Sequence, residues 1–394
     1  MLLAQRVNRI KPSPSTAAAQ RVRELKAQGH EILDLTVGEP DFDTPDHVKA
    51  AAVEAIGRGE TKYTPVNGIQ ELRAAIADRL ARRHGIRYTP EQITVSGGAK
   101  QVIFLALMAT LDAPGEVIIP APYWVSYPDM VLANDGTPVI VDCPSFTLTP
   151  DRLAAVITAD TRWLILNTPS NPTGAAYTAG ELRALADVLL AHPQVWVLTD
   201  EIYDEIAYER LSTLLSVEPR LADRVLVTNG VSKTYAMTGW RIGYGAGPAE
   251  LVAAINTLQS QISSCPSSVS QAAAVAALTG DQEFVRETVA VYQARRDRTV
   301  KLLGDIPGLS CTAPSGGFYL FVNCKALLGR RTPASQVIHT DEDLTHYFLE
   351  SQQVAVIHGT AYGTPGYFRV SFATSTDILD ESCQRIGRAC ADLS

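Results

Sequence analysis

An α/β fold built on a largely parallel sheet wrapped by helices is what the sequence predicts, and three observations predict it. Apolar segments recur along the chain: ITVS, EVIIP, TPVIVDC, WLILN, VWVLTDE, RVLVTN and RIGYGAG. Several are continuous apolar runs without alternation, the mark of strands buried on both faces. Helical patterns lie between them, Thr178 to Ala191 for example, as the crossovers of a parallel sheet require. Finally, ITVSGGAKQVIFLALMATL reads as strand, glycine turn and helix in one stretch.

Taken in order, residues 1 to 45 combine a polar KPSPST turn, a helical stretch near Ala17 to Gln28 and a short strand, ILDLTVG. The loop that follows, GEPDFDTP, is rich in Gly, Pro and Asp, as turn chemistry requires. Helical patterns at Asp46 to Gly57 and Gly68 to His84 lead into the strand-rich region. A long helical pattern, Asp281 to Leu303, leads out of it, and GGFYLFVNC, VAVIHGT and YFRVSFAT are then strands among helices, too few for another large sheet. The expected division is a large domain at 46–290 and a smaller α/β domain assembled from the two chain ends, 1–45 and 291–394. Repeats and low-complexity tracts are absent.

Composition narrows the function. A chain of 394 residues that is 46% hydrophobic and 19% charged easily supplies a large core. A net charge of −8 argues against nucleic acid or an anionic membrane as the main partner. The six cysteines, scattered without a CxxC pair or metal-ligand spacing, read as reduced thiols of a cytoplasmic protein that holds no metal. The start, MLLAQRVNRI, is not a signal peptide, and no apolar run approaches the roughly 20 residues that span a bilayer.

The stretch from Val225 to Gly247 delivers Lys233 into small and apolar surroundings, with no Asp or Glu between Arg224 and Ala249 and with Arg241 eight residues on. Folded inward, such an ammonium is disfavoured by desolvation and like charge, which is how a lysine amine is made nucleophilic; folded outward, it is an ordinary surface lysine. Ligands of open parallel sheets sit beyond the carboxyl ends of the strands, so the polar residues there carry the rest of the argument. Ser96 to Lys100, SGGAK, form a strand-to-helix turn whose free N–H groups suit a phosphate, or simply a tight turn. Asp200 stands just past an apolar strand, where a carboxylate is costly unless it meets a cation, and Tyr203 shares its face if a helical turn follows. Asn171 is a turn former or a ligand, and Tyr123 and Trp124 are core aromatics or a stacking surface. Arg241 reads as a strand-entry arginine suited to phosphate; Arg369, inside an apolar strand, suits bidentate capture of a carboxylate or lies on a solvent face.

One ligand wants all these groups together, a phosphorylated pyridine aldehyde: the lysine takes the aldehyde, the acid holds the ring nitrogen protonated, an aromatic stacks on the ring, and a helix N-terminus with an arginine holds the phosphate.

In order along the chain, VGEPDFDTP, GGAKQ, NTPSNPTG, DEIY, SKTYAMTGWRIG and YFRVSFAT together resemble the class I aminotransferases of pyridoxal-phosphate fold type I, most closely the bacterial aspartate aminotransferase subgroup I-beta. The resemblance covers nearly the whole chain. It implies a seven-stranded, mostly parallel sheet, pyridoxal 5′-phosphate as cofactor, and transfer of an amino group between an L-amino acid, aspartate foremost, and a 2-oxo acid, 2-oxoglutarate foremost, by a ping-pong mechanism. By that resemblance Lys233 would carry the cofactor and shuttle the proton, Asp200 would pair with the ring nitrogen, Tyr203 and Asn171 would hold the ring 3′-oxygen, and Trp124 would stack. Gly98, Ala99, Lys100 and Arg241 would surround the phosphate, and Arg369, with the Gly38 backbone, would take the substrate carboxylate. Tyr63 would cross to a neighbouring subunit, making the homodimer a requirement of catalysis. The chain departs from many members at Gly230, where they carry a hydroxyl for the phosphate, and at Ser15, where they carry threonine near the distal end of the substrate; Lys100 is the other residue expected at a distal carboxylate. Prephenate or aromatic substrates, and carbon–sulfur lyase or cyclopropane-forming chemistry, are alternatives on this scaffold. A regulatory ligand-binding protein would need an added DNA-binding module, and a nucleotide-binding enzyme would need GxGxxG or a P-loop.

Overall fold

The computed structural model describes residues 3–12 and 14–394, without the side chain of Ser15. Its main sheet has seven strands: β1 (Ile93–Ser96), β2 (Glu116–Ala121), β3 (Thr137–Asp142), β4 (Thr161–Asn167), β5 (Trp196–Asp200), β6 (Val225–Gly230) and β7 (Gly243–Ala246). They lie in the order β1-β7-β6-β5-β4-β2-β3. Strands β2 to β6 pair in parallel, and β7 runs antiparallel to both β6 and β1. The expected α/β class is therefore the observed one.

Consecutive residues of the central strands go to opposite faces of the sheet, which is why their apolar runs are unbroken. Leu164, Val197 and Val227 join a core with Leu182, Leu185 and Ala273. Ile165, Leu198 and Leu226 join another with Ile103, Leu107 and Ile255. Edge strand β3 is half exposed along its length. The close fit of sheet to helix has a local cause at Gly243, where a Cβ would lie 2.0 Å from the Ala99 nitrogen.

A three-stranded antiparallel sheet, β9-β10-β8, is formed by β8 (Tyr319–Asn323), β9 (Ile357–His358) and β10 (Tyr367–Ser371). Its core gathers Leu35, Phe318, Phe348, Phe368 and Ile386 with Tyr203 and Ile206. Two short elements differ from the sequence reading. The strand expected from ILDLTVG is only Leu33–Asp34, paired in parallel with Val354–Ala355. Beyond it the Asp34 carboxylate accepts from the Thr36 N–H at 2.9 Å and the Thr36 hydroxyl at 2.6 Å, turning the chain off the ladder. RIGYGAG becomes strand only at Gly243, because Arg241 adopts a left-handed φ of 56° that ends the Thr238–Trp240 turn.

Several helices start at a side-chain cap. Thr178 caps the Ala179–Ala191 helix in a reciprocal capping box with Glu181. The long helix runs from Glu283 to Gly304. No helix among the described residues is long and apolar enough to cross a membrane.

Just past β5, Arg79 holds Asp204 at 2.9 and 3.0 Å in a buried pair. Beside it His84 Nε2 lies 3.3 Å from a Glu201 carboxyl oxygen. Burial pushes Glu201 up to about 8, with the Asp204 charge adding to it, and pushes His84 down to about 4. Both shifts run against an ion pair, burial favouring the protonated acid and the neutral imidazole. A group whose folded pKa is raised contributes stability that is complete below its unfolded pKa and lost as pH rises through the folded value. The Glu201 contribution therefore drains between about 4.5 and 8. The expected result is that Glu201→Gln, which keeps the uncharged form at every pH, gains thermal stability relative to wild type on going from pH 6 to pH 9. A midpoint difference that does not change between those pH values, measured by calorimetry, would show that Glu201 does not titrate between pH 6 and pH 9 and would overturn the expectation.

Candidate active site

Beyond the carboxyl ends of the parallel strands lies a cavity of about 630 Å³. Gly38, Ala99, Lys100, Trp124, Asn171, Asp200, Tyr203, Lys233, Arg241 and Arg369 all line it. Gly98 is not among the lining residues but sits against the Arg241 guanidinium, which is. Thus nearly every residue singled out from the sequence converges on one space.

The anion cradle comes from β1 and the turn after it. Gly98 has φ 97°, a conformation that favours glycine, and a Cβ there would stand 2.4 Å from an Arg241 guanidinium nitrogen and displace that side chain. The twelve-residue Ala99–Thr110 helix opens at this point, and Ala99 and Lys100 of its first turn line the cavity, so its N-terminal end is beside the space. Arg241 donates to the Gly97 carbonyl at 3.1 Å and the Thr238 carbonyl at 2.9 Å, which fixes its guanidinium over the turn. It belongs to the left-handed residue before β7 rather than to a strand entry. At Gly230 there is no room for a side chain, since a Cβ would lie 2.9 Å from the Ile242 carbonyl. Ser232, buried, faces the cavity instead.

Lys233 follows β6 and its ammonium donates to the Gly38 carbonyl. Burial pushes its pKa down to about 8, and the nearby Arg369 and Arg241 charges push the same way. The absence of acids around it in sequence does not hold in space, because Glu39 comes in from the N-terminal loop and opposes the shift. Thr238 anchors that carboxylate by donating at 2.7 Å.

Asp200 ends β5 and is 4% exposed. Tyr127 donates to one carboxylate oxygen at 2.6 Å, and the Ile202 N–H approaches the other at 3.3 Å. Burial raises its pKa to about 6, while the Tyr127 bond and the Lys233 charge oppose the rise. Tyr203 is reached through a run of turns rather than a helix, and its buried hydroxyl meets that of Tyr319 at 3.1 Å.

Arg369 lies in the central strand of the small sheet and is 2% exposed, so the solvent-face alternative does not apply. One guanidinium nitrogen donates to the Asn171 side-chain oxygen at 3.1 Å and the other to the Thr36 carbonyl at 2.6 Å. The plane stacks over Tyr319 at 4.3 Å, and Nε is buried without a hydrogen-bond partner. A held guanidinium with unspent donor capacity is what a carboxylate ligand needs. Asn171 is set in turn by Asn167, whose side chain accepts from the Asn171 N–H at 2.8 Å and donates to the Asp200 carbonyl at 2.9 Å. A Cβ at Gly38 would lie 3.3 Å from the Tyr319 hydroxyl, close enough to make the neighbour give.

Lys100 reaches over the Trp124 ring at 4.7 Å and donates to the Ser126 hydroxyl at 3.3 Å. Burial and the Arg241 charge lower its pKa. Tyr63 is 89% exposed and does not line this cavity. The Ser15 side chain lies outside the described residues, although Thr16, Ala19 and Arg23 of the same helix line the cavity. Among the described residues no cluster of three or more His, Cys, Asp or Glu is placed to hold a metal ion.

Sequence reading missed Tyr127, Asn167, Tyr319, Thr36 and Glu39. Asn167 was within reach, since it ends an apolar strand as Asp200 does. The others carry no local signal.

Chemically, the cavity joins an amine of lowered proton affinity, a buried carboxylate, an anion cradle and a guanidinium fork. The family model "Aminotransferase class I and II" matches residues 30–386. The chain is 51% identical, over 98% of its own length and 98% of the relative's, to a probable aspartate/prephenate aminotransferase of Rhizobium leguminosarum bv. phaseoli. In structure it is similar to the aspartate aminotransferase from Rhizobium meliloti, with a TM-score of 0.97 at 49% identity and 100% coverage of both chains. It is also similar to the aspartate aminotransferase from Thermus thermophilus with maleate, with a TM-score of 0.91 at 38% identity, covering 99% of this chain and 100% of the other. With sequence, fold and cavity pointing the same way, the chain belongs to the class I and II aminotransferases.

Proposed function

We propose that the protein uses pyridoxal 5′-phosphate to move an amino group from aspartate to 2-oxoglutarate in two half-reactions. The observation that carries this reading is that Lys233, Asp200 and Arg369 open into one cavity beside the Gly98–Arg241 cradle. The residues fit the cofactor: the cradle that a Cβ at Gly98 would fill suits its phosphate, and a buried acid without a salt-bridge partner suits its ring nitrogen. When bound, the cofactor supplies an aldehyde carbon for the amine and a ring that takes up electron density from the substrate Cα.

The remaining work falls to the chain. Arg369, oriented by Asn171 and Tyr319, holds the substrate carboxylate and so sets the Cα hydrogen toward Lys233. Lys233, its proton affinity already lowered, removes that proton as the free amine and returns it on the other side of the transfer. With the cofactor bound, an ionised Asp200 would favour the protonated ring nitrogen, and Trp124 and Tyr203, on the same cavity wall, would hold the ring. Lys100 and Arg23, cations on the cavity wall, favour a substrate with a second carboxylate. Prephenate, itself a dianion, is the second substrate we propose, supported by the same two cations and by the names of relatives such as the aspartate/prephenate aminotransferase of Cereibacter sphaeroides, 49% identical.

A second copy of the chain would complete the site. Tyr63, Val53, Ile56 and Ile262 are 89, 68, 56 and 56% exposed. The Thr64 N–H meets the Cys265 sulfur at 3.4 Å, so the Tyr63 loop adjoins the chain beyond Ile262. Exposed apolar side chains of this kind favour a homodimer, in which Tyr63 would reach the partner's phosphate. The cytoplasm is the setting we propose for an enzyme with six free cysteines.

The test is a half-reaction. Aspartate alone should convert bound pyridoxal phosphate to its amine form once per site and then stall until 2-oxoglutarate or prephenate is added. Continued turnover with amino acid alone would identify a lyase instead.

A further inference from the structure

We propose that Gln259 is a positioning residue for the cofactor phosphate: its buried side chain ties the turn that would cradle the phosphate to the loop that carries Tyr63, so that the two act as one unit. This rests on the phosphate and homodimer readings given above and adds a residue that no sequence signal marks.

Gln259 is 0% exposed, and an amide so placed is costly unless its polar atoms are paired. Here they are paired across two segments. The side-chain oxygen accepts from the Ser96 hydroxyl, and the nitrogen donates to the Val95 carbonyl at 2.8 Å and the Val66 carbonyl at 2.6 Å. Ser96 ends β1 immediately before the Gly97–Gly98 turn, and Val66 lies three residues past Tyr63. Strand β1 ends the sheet with β7 as its strand neighbour, and the Val95 N–H donates to the Asn67 carbonyl at 3.2 Å, so the Tyr63 loop is joined to the same strand. Gly68, with φ 94°, lets the loop lie close, since a Cβ there would stand 2.6 Å from a Val95 methyl. Gln271, also 0% exposed, braces the loop from within by accepting from the Ile69 N–H at 2.8 Å and donating to the Thr64 hydroxyl at 2.9 Å.

The Ala249–Ile262 helix, which supplies Gln259, follows the strand at three levels. Asn256 accepts from the Thr94 hydroxyl at 2.6 Å, Gln259 takes Ser96, and Ser263 accepts at 2.8 Å from Gln101, whose side-chain oxygen accepts from the Gly97 N–H at 2.8 Å. Positions 256, 259 and 263 share one helix face. In a homodimer each Gln259 would orient its own phosphate turn and the tyrosine lent to the partner.

The experiment titrates the cofactor-stripped full chain with pyridoxal phosphate and with pyridoxal, which lacks the phosphate, for wild type, Gln259→Met, Tyr63→Phe and the double variant. Methionine keeps an unbranched side chain at 259 but donates nothing. Gln259→Met should weaken pyridoxal phosphate by about tenfold or more and pyridoxal by less than about threefold. Equal losses for the two ligands would show a structural role only, and unchanged affinities would show none; either overturns the inference. The loss from Tyr63→Phe should shrink in the Gln259→Met background, and equal losses in both backgrounds would overturn the link between loop and turn. Wild type that binds pyridoxal as tightly as pyridoxal phosphate would instead overturn the reading of the cradle, and a silent Tyr63→Phe in wild type would overturn the crossing of Tyr63. Should Gln259→Met fail to fold, Ser96→Ala removes one of the three bonds at a buried residue that does not line the cavity. It should show the same phosphate-selective loss at about threefold, and a loss without selectivity would count against the inference.

Discussion

Lys233→Ala is expected to lower kcat by about 10⁴-fold or more while leaving the protein folded and able to bind pyridoxal phosphate. The size follows from the two tasks proposed for one side chain: holding the cofactor covalently and moving the Cα proton, the second alone contributing about 10²–10⁴-fold. The cradle at Gly98, Ala99 and Arg241 does not depend on Lys233, so binding should survive. Two measurements check this. Turnover of aspartate with 2-oxoglutarate should vanish, and borohydride treatment followed by peptide mass spectrometry should label Lys233 in wild type but nothing in the variant. Wild-type turnover by Lys233→Ala would end the proposed mechanism.

Arg369→Leu carries the next largest effect, a rise in KM and a fall in kcat/KM of about 30- to 5,000-fold, from the roughly 2–5 kcal/mol lost when one partner of a buried charge pair is truncated. The guanidinium is committed to Asn171 and Thr36 and lies over Tyr319, so its remaining donors are held in place before substrate arrives. Arg369→Lys should recover little of the loss, because a single ammonium can neither fork a carboxylate nor stack in the same plane. The two substitutions separate charge from geometry: full recovery by lysine would mean that only the positive charge matters. Loss of α-carboxylate capture should reach every amino acid substrate alike, whereas a change at Lys100 should fall mainly on those with a second carboxylate.

Much of the fold was legible because its causes are local. Runs such as WLILN and RVLVTN became central strands, and the helical pattern from Thr178 to Ala191 became the Ala179–Ala191 helix. The shortfalls have equally definite causes. ILDLTVG stops being strand after Asp34 because that carboxylate captures Thr36, and the segment is then drawn to Arg369. RIGYGAG starts late because Arg241 needs a left-handed backbone to turn its guanidinium over Gly97.

The candidate site divides in the same way. Asp200, Asn171 and Lys233 could be named because each follows an apolar strand at its carboxyl end, where a parallel sheet leaves room for a ligand. Glu39 could not be placed near Lys233, nor Tyr127 against Asp200, since nothing within a few residues of either records the meeting.

The sequence alone determined the order of strands and helices, the glycines that allow close approach at the turn after β1, and the identity of the groups able to do chemistry. The tertiary structure alone decided how basic those groups are and what each one touches. Periodicity and steric rules act over a few residues, while burial and hydrogen-bond partners arrive from segments 73 residues away, as between Tyr127 and Asp200, or 333 away, as between Thr36 and Arg369.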